Sequence, residues 1–400
     1  MRILQLHTRY REAGGEDRVV AAEAELLRSA GYDVEQVIAD NPSSPAQTAT
    51  ALLRSPWNPR SWRAVERAVA RFKPDVAHVH NTWYALSPSV IDGLRALDVP
   101  TVMTVHNYRL MCVNGMLLRN GGPCEDCVGR SPWPGVRHRC YRSSALASGA
   151  AAATIALSRR RETWRRGVDL YLAPTEFTRA RLLAAGFPAD RLLVKPHFVD
   201  DPGPRPAAPS RSRTFLNVGR LSPDKGLHPL LDAWAALEDR EMELVCIGDG
   251  PLRDELVRRQ VPRVRFVGPL QPVEVRAWML RARGLVAWST AYETFGLVVA
   301  EAMAAGLPVI VSPGGALAEV AAGAAVAPET GTGDTASYLM RSLRRAADDA
   351  VIDTAGRAGR ARFLASFTRA DGLTRLLDGY RCAISSATRY TTSPGRGGGQ

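Results

Sequence analysis

Two carboxylates frame one stretch of the second half of the chain, LVAWSTAYETFGLVVAEAMAAGLPVIV, residues 285–311. Glu293 lies in a polar turn, and Glu301 lies among Val, Ala and Met residues. The pattern predicts a buried strand, a loop, a helix over residues 295–305 and a second strand. Gly296 stands at the predicted helix start, where unpaired backbone N–H groups favour an anion such as phosphate.

The chemistry that these carboxylates offer is the binding of hydroxyl groups. A carboxylate in an apolar helix is costly unless a partner satisfies it, and the two hydroxyls of a ribose would satisfy Glu301. Glu293 would project from the strand-to-helix loop, where ligands of open α/β sheets bind. The spacing alone leaves an equal alternative, in which Glu293 is a solvated turn residue and Glu301 faces water.

The same stretch carries a resemblance to a known family. The arrangement E-x7-E, with F-G after the first Glu and E-A-M-A-x-G-x-P-V from the second, resembles the donor-site signature of retaining GT-B glycosyltransferases of family 4. The resemblance extends over residues 1–385. It implies that Glu293 holds the transferred sugar and that Glu301 holds the ribose. The backbone at Phe295, Gly296 and Leu297 would meet the sugar and the phosphate.

The loop GRLSPDKG, residues 219–226, follows a predicted strand and resembles the diphosphate site of that family. Arg220 and Lys225 would neutralise the diphosphate and help it to leave. No D-x-D pair stands at a predicted strand end, so we expect these cations and a helix dipole, and no catalytic metal. The resemblance also implies that the backbone near Val267 meets the nucleotide base.

The first half contributes a glycine loop and a histidine. Gly14 and Gly15 precede the first predicted helix and by themselves indicate a plain turn; in GT-B enzymes this loop meets the donor phosphate or the acceptor. KPDVAHVHN resembles the third strand of the family, which ends in a histidine. His106 ends the next predicted strand and matches a residue that contacts the sugar near the reacting carbon. Asn107 stands where many relatives have aspartate, which weakens any role for a second carboxylate.

Four cysteines, Cys112, Cys124, Cys127 and Cys140, are spaced C-x11-C-x2-C-x12-C within a predicted excursion over residues 107–142. Four thiolates that include a C-x2-C pair are the ligand set of a structural zinc site, whereas disulfides are disfavoured in a cytoplasmic protein. An equal alternative is a set of reduced cysteines packed as small hydrophobic groups. We expect the excursion to shape the acceptor pocket.

Length, charge and hydropathy limit the classes of protein to which the chain can belong. The 400 residues suffice for two or three domains, and no apolar stretch reaches the roughly 18 residues of a spanning helix. Met1 leads directly into an apolar segment, so we expect no signal peptide and a cytoplasmic protein. The family resemblance implies a setting at the inner face of the cell membrane. The net charge of +12 favours an anionic partner, although an Arg-rich composition explains it equally well. The basic run SRRRETWRRG, residues 158–167, could contact anionic lipid or be a solvated helix face.

The expected fold is α/β, GT-B, with two doubly wound Rossmann-like domains facing across a cleft. The divisions are an acceptor-binding domain 1–200, a proline-rich linker 201–213, a donor domain 214–362, a C-terminal helix 363–387 that crosses back to the first domain, and a disordered tail 388–400.

The resemblance implies a retaining, metal-independent hexosyltransferase. It would move a sugar from a nucleoside-diphosphate-sugar to a hydroxyl of a lipid-linked or saccharide acceptor, in cell-surface polysaccharide or glycolipid synthesis. Two alternatives stay open: a GT-B-type nucleotide-sugar epimerase, which needs no acceptor, and a non-enzymatic basic protein that binds lipid or nucleic acid. The family leads us to expect no nucleic-acid partner.

Overall fold

The computed structural model describes residues 1–10, 14–239, 241–328 and 334–392. They form two compact units. The first unit comprises Met1–Leu117, Glu125–Lys195 and the chain from Gly372 onward, and the second comprises Leu118–Cys124 and Pro196–Asp371.

The strands are, in chain order, β1 (Arg2–Arg9), β2 (Asp33–Asp40), β3 (Val76–Asn81), β4 (Thr101–Thr104), β5 (Leu118–Arg119), β6 (Gly122–Pro123), β7 (Leu170–Ala173), β8 (Leu192–Val194), β9 (Thr214–Val218), β10 (Glu243–Ile247), β11 (Val264–Gly268), β12 (Gly284–Ala287) and β13 (Val309–Val311).

The helices are α1 (Gly15–Ser29), α2 (Pro45–Arg54), α3 (Pro59–Phe72), α4 (Ser89–Ala96), α5 (Pro134–Arg137), α6 (Ala145–Arg160), α7 (Thr163–Arg166), α8 (Glu176–Ala184), α9 (Leu227–Ala235), α10 (Arg253–Arg258), α11 (Pro272–Met279), α12 (Leu297–Ala304), α13 (Gly315–Val320), α14 (Thr335–Arg345), α15 (Asp349–Ser366) and α16 (Arg369–Thr392). Several begin directly after a side chain that accepts a hydrogen bond from the first turn, at Ser44, Asn58, Ser144, Thr175, Asp334 and Asp348.

The first unit is built on a parallel sheet in the order β2-β1-β3-β4-β7-β8. From β1 the chain passes to β2 on one side and then returns to β3 on the other, so the topological switch point lies between β1 and β3. Ligands of open α/β sheets bind beyond the strand ends at such a point. The core includes Ile3, Val76 and Val102 from the sheet, and Leu376 and Tyr380 from α16.

The second unit is built on a parallel sheet in the order β11-β10-β9-β12-β13, with its switch point between β9 and β12. Successive residues of the strands are buried on opposite faces. Leu216 and Leu285 pack in one apolar cluster, and Phe215 and Val286 pack in another. Burial on both faces explains why these strands are continuous apolar runs. The prediction of two doubly wound, Rossmann-like α/β domains is confirmed.

The predicted helix over residues 363–387 is wrong in its boundaries. Phe363 belongs to α15, which ends at Ser366, and α16 begins at Arg369. The break has a local cause, because the hydroxyl of Thr368 accepts a hydrogen bond from the backbone N–H of Asp371 at 3.2 Å. The helix then continues to Thr392, into the predicted tail, whose residues 393–400 lie outside the described residues.

The proline-rich segment 201–213 is not a loose connection, since it packs within the second unit. The Arg205 guanidinium donates to the carbonyl of Ala282 at 2.6 Å, and Ser210 binds the carboxylate of Asp353 at 2.8 and 2.9 Å. Arg205 and Ser210 thus find hydrogen-bond partners within the second unit, which the proline-rich composition of the segment did not predict. In the described part of the chain, no helix is both long and apolar enough to cross a membrane.

Candidate active site

Two loops meet at the switch point of the second unit. One follows β9 and contains Arg220 and Lys225, and the other follows β12 and contains Glu293. The backbone N–H of Thr290 donates to the carbonyl of Asp224 at 2.9 Å, which ties the loops together. Gly226 has a φ of +55°, and a Cβ there would come within 2.6 Å of the Trp288 ring. The approach of the two loops therefore depends on this glycine.

Lys225 and Glu293 form the polar centre of this site. Lys225 Nζ lies 2.5 Å from Glu293 Oε1 and 3.7 Å from Asp224 Oδ2. Burial opposes the charge on Lys225, but the carboxylates of Glu293 and Asp224 outweigh it and raise the pKa of Lys225. Lys225 is therefore a fixed cation at neutral pH. Arg220 is exposed on the same loop, and Val267 is half-buried in β11.

Helix α12 presents a single accessible face. Its buried residues include Val299, Ala300 and Met303, whereas Leu297, Val298 and Glu301 are half-buried. Positions 297, 298 and 301 share one face of a helix, so Glu301 lies on the face that opens at the helix start. The helix begins two residues later than predicted. The Phe295 ring lies in the core, edge-on to His197 and Phe367 at centroid distances of 5.1 and 5.6 Å.

Gly296 is the N-cap of α12, in the left-handed conformation at φ +94° and ψ +67°. A Cβ at this position would lie 2.2 Å from Leu317 Cδ2. We expect Gly296→Ala to lower the free energy of unfolding by about 1–3 kcal/mol from backbone strain alone, with the clash adding to it. Urea denaturation measures the loss. Gly323→Ala is the matched control, since Gly323 has a φ of +75° and a Cβ there would meet no atom within 4 Å. Equal losses in the two variants would contradict the steric part of the prediction.

In the first unit, His106 follows β4 and contacts a second histidine. His106 Nε2 lies 3.0 Å from His80 Nδ1, and the two rings stack with centroids 5.3 Å apart. Burial, followed by neighbouring cationic groups, holds the pKa of His80 and of His106 well below the usual range. Both imidazoles are therefore neutral at pH 7. A cavity beside them is lined by residues that include Trp83, Asn107 and Arg109.

Beneath the two histidines lies a buried charge pair that the sequence analysis missed. The ammonium of Lys195 contacts the carboxylate of Glu23, and both side chains are fully buried. Glu23 Oε2 also lies 3.7 Å from His78 Nδ1 and 3.9 Å from His80 Nε2. Two signals could have revealed the pair. Glu23 falls on the buried stripe of α1, and Lys195 is one of only three lysines in the chain.

The glycine loop of the first unit is held by Asp17. Its Oδ1 lies 2.8 Å from His7 Nε2, and its Oδ2 accepts from the backbone N–H of Gly14 at 2.8 Å. Burial lowers the pKa of His7, and the hydrogen bond to Asp17 only partly offsets this. Gly15 is exposed as the first residue of α1.

The structure does not gather the four cysteines into a metal site. Cys112 Sγ lies 3.0 Å from Asn114 Oδ1, and Cys127 Sγ lies 4.0 Å from the carbonyl of Pro132. Cys140 is half-buried, and Cys124 belongs to the second unit. Within the described residues, Glu23, His78 and His80 are the sole group of three or more metal-ligand types with their atoms within 4.8 Å. Lys195 already compensates Glu23, which disfavours a cation there.

The basic run over residues 158–167 is partly committed to internal contacts. Trp164, which would be the apolar anchor in a lipid, is 5% exposed. The guanidinium of Arg161 lies over the Trp57 ring at 5.5 Å, and Arg166 Nε lies 2.5 Å from Glu162 Oε2. Arg160, Arg161, Arg165 and Arg166 stay exposed, so the run keeps a cationic surface but has no exposed Trp164 to anchor it.

Comparison with known proteins gives a consistent result for both units. The model of the glycosyl transferase 4-like domain matches residues 14–197, and the model of glycosyl transferases group 1 matches residues 212–345. Glycogen synthase of Mycobacterium tuberculosis is 34% identical over 174 residues, which are 40% of this chain and 42% of that protein. The chain thus matches less than half the length of this relative.

A longer match joins the chain to D-inositol 3-phosphate glycosyltransferase 1 of Catenulispora acidiphila, at 28% identity over 78% of this chain and 72% of that protein. Among solved structures, sucrose-phosphate synthase from Thermosynechococcus elongatus has a TM-score of 0.71 at 20% identity and covers 96% of this chain and 99% of its own. The Anabaena protein HepE, solved in complex with UDP, has a TM-score of 0.65 at 19% identity, with 94% and 99% covered. These structural likenesses support the fold.

Proposed function

Because the chain belongs to the glycosyltransferases that join a glycosyl transferase 4-like domain to a group 1 domain, we propose that it is a retaining, metal-independent hexosyltransferase of GT-B family 4. It moves a sugar from a nucleoside-diphosphate-sugar to an acceptor hydroxyl. The observation that carries the proposal is the Lys225–Glu293 pair at the switch point of the second unit, beside the start of α12.

Each donor group has a counterpart in the second unit. Lys225 and Arg220 neutralise the diphosphate, and the helix start at Gly296 adds its N–H groups. Glu301 lies five residues further, about 7 Å along the helix axis, and takes the ribose hydroxyls. Glu293, held by Lys225, takes hydroxyls of the transferred sugar. In this assignment each part of the donor has its own partner. The diphosphate meets the two cations and the helix start, the ribose meets Glu301, and the transferred sugar meets Glu293.

The proposed reaction needs no covalent intermediate. The bond between the anomeric carbon and the phosphate oxygen breaks, and the acceptor oxygen bonds to the same face of that carbon. The acceptor proton passes to the departing phosphate, whose negative charge Lys225 and Arg220 stabilise. The neutral imidazole of His106 orients the sugar through a hydrogen bond.

We propose a saccharide or lipid-linked acceptor, with the enzyme working in the cytoplasm at the inner face of the cell membrane. The large apolar side chains that the first unit exposes include Trp133 at 53% and Leu146 at 77%. Arg137 and Arg142 lie in the same part of the chain, and both are exposed. Apolar side chains beside cations suit an anionic lipid surface. Synthesis of a cell-surface polysaccharide or glycolipid would supply such an acceptor.

A thermal-stability screen tests the donor assignment. UDP, GDP and ADP and their sugar conjugates are added to the protein in EDTA, with UDP-glucose first, because HepE has been solved with UDP-glucose. We expect one nucleotide to stabilise the protein, by about 2.7 kcal/mol at a hundredfold its dissociation constant.

Lys225→Ala is the variant in which this stabilisation should disappear. Arg258→Ala, an exposed change on α10, should leave it intact. Product analysis by NMR then separates the reactions, since an epimerase would release an epimerised sugar without any acceptor. Absence of a shift with every nucleotide would overturn the proposed function.

A further inference from the structure

A polar cluster of the first unit lies next to His106 and has no part in the donor site. Asn107 Nδ2 lies 3.1 Å from the hydroxyl of Tyr10 and 3.4 Å from Glu16 Oε2. Tyr10 is also hydrogen-bonded to Glu16. These three side chains come from the end of β1, the first turn of α1 and the loop after β4. The tertiary structure therefore places a carboxyl group next to Asn107.

Glu16 retains binding capacity in this cluster. Its Oε1 is buried and has no hydrogen-bond partner within the described residues. A buried polar atom without a partner costs free energy, and a ligand hydroxyl would remove that cost. Hydrogen bonds with Tyr10 and with the Asn107 amide, which donates to Oε2, also fix the orientation of the carboxyl group.

The charges around Glu16 favour a neutral ligand. Burial, which is the largest cause, raises the pKa of Glu16 to about 8, and Asp17 adds to it. Tyr10, Asn107 and Arg109 act in the opposite direction. Glu16 is thus mostly protonated at pH 7, and a protonated carboxyl both donates and accepts a hydrogen bond. A sugar hydroxyl matches this pair of roles and places no second anion beside the Asp17 carboxylate.

Arg109 connects the cluster to the cavity beside His106, since it is hydrogen-bonded to Tyr10 and lines that cavity. Its guanidinium lies over the rings of Trp83 and Tyr141, at 5.1 and 4.7 Å from their centroids, and it donates to the carbonyl of Val113 at 3.3 Å. The residue is therefore held in place by flat aromatic surfaces.

We propose that Glu16 binds a hydroxyl of a neutral sugar or cyclic polyol acceptor beside His106, and so determines acceptor specificity through its carboxyl group. This inference rests on the proposed glycosyl transfer. It assigns to Glu16 a role in binding the acceptor and none in binding the donor.

The experiment measures release of the nucleoside diphosphate from the donor that the stability screen identifies. Glucose, galactose, N-acetylglucosamine and myo-inositol are the acceptor probes. We expect at least one of them to accelerate release by the wild-type protein. In Glu16→Leu the acceptor KM should rise at least tenfold, because a ligand hydroxyl loses its partner. The dissociation constant of the donor should stay unchanged, as should release in the absence of acceptor.

Glu16→Gln keeps the shape and the neutral state of the carboxyl group, so it should retain most of the acceptor affinity at pH 7. It should also remove a pH effect. In the wild type the acceptor KM should rise as the pH passes through about 8, because ionised Glu16 can no longer donate, whereas the glutamine variant should show no such rise. Glu25→Gln, an exposed change on the same helix, is the matched control.

The outcomes separate this inference from the proposed function. If the wild type binds no donor, the proposed function fails. If it binds and cleaves the donor but Glu16→Leu keeps the wild-type acceptor KM, the assignment of Glu16 is wrong. If no probe accelerates release, the assignment of a neutral sugar or polyol is overturned.

Discussion

Lys195→Met should lower the free energy of unfolding by about 3–5 kcal/mol, the largest stability effect that we expect from a single substitution in the first unit. The side chains of Lys195 and Glu23 are fully buried and contact each other. Methionine fills much of the same volume but leaves the carboxylate without its cation. Burial is the largest cause of the lowered pKa of the neighbouring His80, and it opposes a replacement of the lost charge by that imidazole. Urea denaturation followed by circular dichroism measures the loss.

Two further variants separate a charge effect from a packing effect. The double variant Glu23→Gln/Lys195→Met should recover much of the lost stability, because it removes both charges and keeps the side-chain volumes. Arg166→Met should cost no more than about 1 kcal/mol, because that ion pair with Glu162 is exposed. A loss in Lys195→Met as small as that in Arg166→Met would show that the buried pair contributes little.

Lys225→Met should reduce the rate of sugar transfer by about 10²–10³-fold, the loss typical of removing one group that stabilises developing charge. Lys225 contacts Glu293 at the switch point, and its pKa is raised, so the ammonium is fully charged at neutral pH. In the proposed donor site, removing it withdraws positive charge from the leaving diphosphate and also frees Glu293 from its fixed position. The dissociation constant of the nucleoside diphosphate should therefore rise, and kcat should fall.

Glu293→Gln offers a test of the separate roles in this pair. It should lower kcat while the affinity for the nucleoside diphosphate without its sugar stays close to that of the wild type. In the double variant Lys225→Met/Glu293→Gln, activity should fall by a smaller factor than the product of the two single-variant factors, because the two residues act as a unit. A Glu293→Gln protein with full transfer activity would remove Glu293 from the mechanism, and a Lys225→Met protein with unchanged nucleotide affinity would remove Lys225 from the diphosphate site.

The sequence was sufficient to locate the proposed donor groups of the second unit, because these groups are close together along the chain. Glu293, Gly296 and Glu301 fall within one strand-loop-helix segment, and Arg220 and Lys225 fall within one loop. Local rules for glycine, helix starts and strand ends apply directly to such segments. The adjacency of the two loops follows from the parallel order of β9 and β12, which a βαβ pattern by itself does not specify.

The composition of the sequence also indicates which cations form specific ion pairs with carboxylates. The chain has three lysines among 52 basic residues, and two of these lysines, Lys195 and Lys225, form ion pairs with glutamates. An ammonium is a compact point charge, unlike a planar guanidinium. The rarity of lysine in an Arg-rich chain is therefore a signal that the composition itself carries.

Only the tertiary structure decided the contacts between distant segments of the first unit. Glu23 and Lys195 are 172 positions apart, and Glu16 and Asn107 are 91 apart. No periodicity relates such residues, since their approach depends on which strands are neighbours in the sheet. The same holds for the cysteines, whose spacing suggested zinc but whose positions depend on how a loop-rich segment folds. Spacing along a chain constrains neighbours within one element, whereas the packing of separate elements decides which buried charges meet.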